Sequence, residues 1–100
     1  DSIITFCVRN NYEESLQALL ENPRINVNLE DEKGFVPLVY AAYNNNQKAF
    51  DLIINHPKID LKHKSKKGFT IKQVLETYSK AGRIDYYFEK TYLEKLAEQK

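Results

Sequence analysis

The side chains most able to do chemistry in this sequence are Cys7, His56 and His63. A thiol within hydrogen-bond reach of an imidazole makes a nucleophile and its base, and the same three residues are the first to test as metal ligands. One cysteine and two histidines fall short of the four closely spaced ligands that a structural zinc takes, so no metal site is expected. Carboxylates are frequent, and Glu30, Asp31 and Glu32 stand side by side. Paired acid–base catalysis needs such groups in a pocket, whereas this run reads as an exposed, solvated turn. The only glycines are Gly34, Gly68 and Gly82, and they assemble neither a phosphate-cradling loop nor a dinucleotide fingerprint. No cofactor is expected. One cluster keeps a chemical use: Lys62, His63, Lys64, Lys66 and Lys67 form a basic stretch able to contact phosphate on a nucleic acid or an anionic lipid headgroup.

These residues must be positioned by one small domain, because 100 residues allow a single core. Apolar residues make up 42% and charged residues 29% of the chain, an ordinary globular balance that argues against a wholly disordered segment. The formal net charge of +1 gives no overall pull toward nucleic acid or membrane, which makes the basic stretch the weaker of two binding readings. No apolar run approaches the roughly 20 residues that cross a bilayer, so the chain reads as soluble. A lone cysteine rules out an intrachain disulfide and favours an intracellular, cytoplasmic setting.

The positioning elements announce themselves by repetition. Asn22, Pro23, Arg24, Ile25, Asn26, Val27 and Asn28 align with His56, Pro57, Lys58, Ile59, Asp60, Leu61 and Lys62, every pair 34 positions apart. Lys33, Gly34 and Phe35 align with Lys67, Gly68 and Phe69 at the same offset, and Leu16 maps to Phe50 and then Ile84. Three units emerge, about 1–30, 31–64 and 65–100, the first without its front end. First helices are expected over 2–10, 37–43 and 70–78, with Ser2 and Thr70 as N-caps and Pro37 in a first turn. Second helices are expected over 12–21, 47–55 and 83–99, where apolar residues recur at helical spacing. Between the helices, Ile25/Val27 and Ile59/Leu61 alternate with period two and close on a glycine, which suits a short hairpin-like excursion. Tetratricopeptide repeats share the period but join their helices by tight turns, so the linker disfavours them.

At these residues the chain resembles the ankyrin-repeat family over nearly its whole length. Asp31, Gly34, Pro37, Leu38, Ala41 and Ala42 match its Asp, Gly, Pro-Leu and paired alanines; Leu52, Ile53 and Ile54 match its leucine run, and Asp60 with Leu61 its Asp-Val. Val36 and Val39 depart from its Thr and His, removing a side-chain cap and a loop-bracing bond. Asn45 stands for the glycine that ends the first helix, and Lys72, Leu75 and Glu76 depart in the last unit. The resemblance implies an all-α helical repeat solenoid with a C-terminal capping helix. It places Cys7 in the first of the paired small slots, where a buried thiol is inert, so no enzyme is expected.

The same resemblance implies a protein-binding scaffold or adaptor acting through its hairpin tips and the exposed face of its first helices. Carried across by position, that surface is Glu30, Glu32, Lys33, Phe35, Tyr43, Asn44, Lys64, Lys66, Lys67, Phe69 and Tyr78, flanked by Arg9, Asn10 and Thr77. The first tip is acidic and the second basic, so the edge is expected to be electrically polar along its length. The partner is another protein, with nucleic acid or anionic lipid at the Lys62 to Lys67 tip as the alternative. A monomeric piece of a longer chain is expected, positioning an upstream enzyme in a third reading. Proteins of this kind are also delivered into host cells.

Overall fold

Short sequences with end signals form six helices among the described residues: α1 (Ile3–Arg9), α2 (Glu13–Glu21), α3 (Pro37–Tyr43), α4 (Gln47–Ile54), α5 (Ile71–Lys80) and α6 (Tyr86–Glu98). They come from a computed structural model that describes residues 3–98; the expected Ser2 cap and the end of the last helix at Gln99 lie outside the described residues. No helix among these residues is long and apolar enough to cross a membrane.

Four of the starts have a local cause. Asn46 caps α4 by accepting from the Ala49 N–H at 3.1 Å. Thr70 and Gln73 form a reciprocal capping box on α5, which satisfies two backbone donors that a helix start otherwise strands. Pro37 opens α3, where Val36 offers no side-chain cap. The ends of α1 and α3 share one device. Asn11 and Asn45 take positive φ of 58° and 55°, and the residue after each bonds back five positions, Tyr12 N–H to Cys7 O at 3.0 Å and Asn46 N–H to Ala41 O at 2.9 Å. That pairing closes a helix through a left-handed residue, a conformation asparagine tolerates.

The third helix pair departs from the period. Its left-handed residue is Gly82 (φ 73°), three positions later than strict repetition requires. Ser79 occupies the strict position, and serine, unlike glycine or asparagine, rarely adopts that conformation. Helix α5 therefore runs on to Lys80 rather than 78, and α6 starts at Tyr86 rather than 83. Asp85 sets that start by accepting from the Tyr87 N–H at 2.8 Å. Ile84 is buried from the connection, not from the helix.

Helices α1, α3 and α5 pack as successive neighbours in one row, α2, α4 and α6 in a second, and each pair is joined across the rows. Leu16, Phe50, Ile53, Leu38, Leu75 and Phe88 fill the seam between them, with the Phe50 and Phe88 rings edge to face at 5.0 Å. Tyr92 closes the far end, its hydroxyl donating to the Leu61 carbonyl within the core.

Two turns project from the rows. In the first, Asp31 N–H reaches Phe35 O at 2.9 Å and Gly34 N–H reaches Asp31 O at 3.0 Å; in the second, Ser65 N–H reaches Phe69 O at 2.8 Å and Gly68 N–H reaches Ser65 O at 3.0 Å. Gly34 and Gly68 hold φ of 85° and 95°. Their surroundings differ, since a Cβ on Gly34 would lie 3.0 Å from Phe69 Cζ and 3.3 Å from Ser65 Cβ, whereas one on Gly68 would meet open space. Gly68→Ala is expected to cost about 1–2 kcal/mol from backbone strain alone, and Gly34→Ala measurably more because the second turn must also shift. Urea unfolding of the two variants checks this ordering, and equal losses would contradict the close stacking of the turns.

Candidate binding groove

Helices α1 and α3 and the first projecting turn border an open groove of about 850 Å³. Thr5 and Arg9 reach it from α1, Tyr40, Tyr43 and Asn44 from α3, and Leu29 to Lys33 form its outer wall. Beside it, sharing Lys33, Tyr40 and Tyr43, lies a recess of about 180 Å³ that Phe35, Val39 and Tyr78 complete.

Asp31 organises the wall. Its Oδ1 accepts from the Lys33 N–H at 2.9 Å and the Phe35 N–H at 3.0 Å, and its Oδ2 accepts from the Tyr40 hydroxyl. Burial pushes this carboxyl up, but the bonds from Tyr40, Phe35 and Lys33 outweigh it and hold the group below the ordinary carboxylate range. Burial and the same partner raise the Tyr40 phenol to about 12. Tyr40 thus supplies the loop brace that Val36 and Val39 cannot. In the second turn Ser65 does the equivalent work, its Oγ accepting from the Lys67 and Phe69 N–H groups at 3.2 Å each.

Glu30 ties the turns together. One of its oxygens meets His63 Nε2 at 2.9 Å and the other accepts from the Lys66 N–H at 3.1 Å. The Lys66 N–H and then the His63 bond hold this carboxyl below its usual range. Asn28 adds a second tie, donating to Lys58 O and accepting from the Asp60 N–H, both at 2.9 Å. These bonds correct the expectation of an exposed acidic tip. Glu30 and Asp31 are partly buried and their lone pairs are committed to the protein's own donors; of the three carboxylates only Glu32 stands exposed. Lys33, Lys64, Lys66 and Lys67 are exposed, and none belongs to an ion pair among the described residues.

The aromatic residues divide. Phe35, Phe69 and Tyr78 are half-buried and Tyr43 is 49% exposed. Phe35 is the hub, its ring 5.7 Å from Tyr40, 5.7 Å from Phe69 and 6.5 Å from Tyr78, while Tyr43 lies 5.6 Å from Tyr78. Of the expected surface, Glu30, Glu32, Lys33, Tyr43 and Asn44 line the groove and Phe35 and Tyr78 the recess. Phe69 sits beneath Gly34, and Lys64, Lys66 and Lys67 line neither opening. Sequence reading passed over Leu29, Tyr40 and Thr5. Leu29 carried a signal, being an apolar tip residue 49% exposed whose partner in the repeat is His63.

Of the chemical candidates, His63 is held by Glu30, and Cys7 and His56 line neither opening. Cys7 is only 4% exposed, and burial pushes its thiol up. His56 is fixed between the Leu20 carbonyl at Nε2 and the Lys58 N–H at Nδ1, both at 3.0 Å. Among the described residues no three His, Cys, Asp or Glu side chains gather as metal ligands. In comparisons with protein families, curated proteins and solved structures, the chain matches none.

Because the folded state lowers the Asp31 carboxyl, its ionised form stabilises the fold above the unfolded carboxylate range and loses that contribution as pH falls through the folded value. Asp31→Asn should cost about 1–2 kcal/mol near neutrality, and the gap in Tm from the parent should close below about pH 4. Thermal unfolding followed by circular dichroism across that range checks the sign; a gap unchanged at about pH 3 would remove the charge from the account.

Proposed function

We propose that this chain is a binding module of the ankyrin-repeat type, a short solenoid whose last helix caps the stack and whose groove receives another protein. The observation that carries this reading is the recurrence, 34 residues apart, of the same hydrogen-bonded glycine turn at Asp31 to Phe35 and at Ser65 to Phe69. Both turns stand beside a row of like helices, and Glu30 and Asn28 tie one to the other. Such a wall keeps its shape without a ligand, which lowers the ordering cost of association. Exposed Tyr43 and Leu29 provide apolar contact area within a polar rim, the composition of a protein interface.

A second reading rests on the exposed, unpaired Lys64, Lys66 and Lys67, which would contact phosphate on nucleic acid or anionic lipid in a salt-dependent way. The groove lies outside that cluster, which places the protein-binding reading first.

Selection of a displayed random-peptide library on the immobilised chain separates the two. Enriched peptides should lose binding to Tyr43→Ala/Leu29→Ala and keep it on Glu14→Lys/Gln17→Ala, which alters the exposed side of α2. Failure to enrich any groove-dependent peptide, together with salt-sensitive retention of a single-stranded oligonucleotide or of phosphatidylserine vesicles, would reverse the order.

A further inference from the structure

Resting on the groove-binding reading, the geometry points to a narrower assignment: the recess between α3 and α5 is an anchor pocket for one aliphatic or aromatic side chain of an extended peptide whose neighbouring residues are acidic. We infer this from three features of the recess. The first is size. At about 180 Å³ it falls below the roughly 300 Å³ at which sites for whole small molecules begin, so it suits a single side chain. The second is lining. Phe35, Val39, Tyr40, Tyr43 and Tyr78 surround it, and the tyrosine nearest the wall has its hydroxyl turned to Asp31, which leaves ring surface for the occupant. A rigid cluster of rings held by mutual contacts at 5.6 to 6.5 Å loses little entropy when a side chain enters.

The third feature is charge, and it decides between an apolar occupant and a cationic one. Rings alone would also attract an ammonium or guanidinium group. Lys33 is exposed in its lining and repels a cation, while Asp31, the carboxylate bonded to Tyr40, already accepts from Tyr40, Lys33 and Phe35. Lys67 repeats the place of Lys33 on the adjoining turn, and Lys64 and Lys66 stand exposed beside it. A peptide with its anchor in the recess and its flanks along the turns would meet available cations, with Glu32 the one exposed carboxylate of the first turn. Charges of this kind orient and accelerate docking, and the buried anchor supplies most of the affinity.

The test uses a labelled Gly/Ser-framed peptide with Asp-Glu-Leu-Glu-Asp at its centre, read by fluorescence anisotropy at low and physiological salt. Replacing its Leu by Ala should weaken binding by roughly tenfold or more, the scale of one buried apolar side chain. Lys33→Glu should weaken the acidic peptide and favour a version with Lys in place of its Asp and Glu; Tyr43→Ala should erase the difference between Leu and Ala centres. Both residues are exposed, and circular dichroism confirms that each variant folds. Equal binding of Leu-centred and Ala-centred peptides, preference for a Lys centre, or indifference to Lys33→Glu overturns the assignment. If groove-dependent peptides from the displayed library lack an apolar centre with acidic flanks, the anchor assignment fails and the groove reading stands; if no peptide depends on the groove, both fail.

Discussion

A helix of seven or eight residues does not persist in water, because the nucleation cost exceeds what so few hydrogen bonds return. Helices α1, α3 and α4 are of that length, so they exist only against their neighbours. The seam of Leu38, Phe50, Ile53, Leu75 and Phe88 is therefore the condition for secondary structure and not merely its packing. Everything on the outer edge, including the wall built on Asp31, inherits its position from that seam. A groove residue such as Tyr43 is fixed because α3 has helices of both rows to lean on.

Rigidity of the turns is a separate matter, since turns cannot borrow it from helical hydrogen bonds. Polar side chains supply it. Asp31 and Ser65 each accept from two backbone donors within their own turn, and Glu30 and Asn28 reach across to the next. The effect on the surface is chemical as well as mechanical. Glu30 and Asp31, which the composition suggests are exposed, face the protein's own donors, and the lysines that repeat at the turn ends stay exposed.

How far the sequence revealed this depends on the range of the interaction. The middle helix pair was legible almost to the residue, α3 over Pro37–Tyr43 included, because Pro37, Asn45 and Asn46 act on their immediate neighbours. The offset of α5 and α6 was not, since alignment by a fixed period cannot see that Ser79 is a poor substitute for a left-handed asparagine while Gly82 lies just beyond. The acidic tip was misread for a different reason. The partners of Glu30 sit 33 and 36 residues away, and no local pattern records them. Tyr40 and Asp31 are nine residues apart, a separation that is meaningful only once the turn between them is known. Such long pairings decided which side chains are exposed, and so they decided most of the candidate site.

The two glycine turns are built alike and covered differently, Gly34 packed against Phe69 and Ser65, Gly68 against nothing within 4 Å. Loosening the first requires Phe69 of the second turn to swing aside, while a side chain added at Gly68 meets nothing. Substitution thus has a direction: a side chain added at the uncovered glycine strains its own turn, and one added at the covered glycine strains both turns. One molecule holds both the covered glycine and its uncovered control.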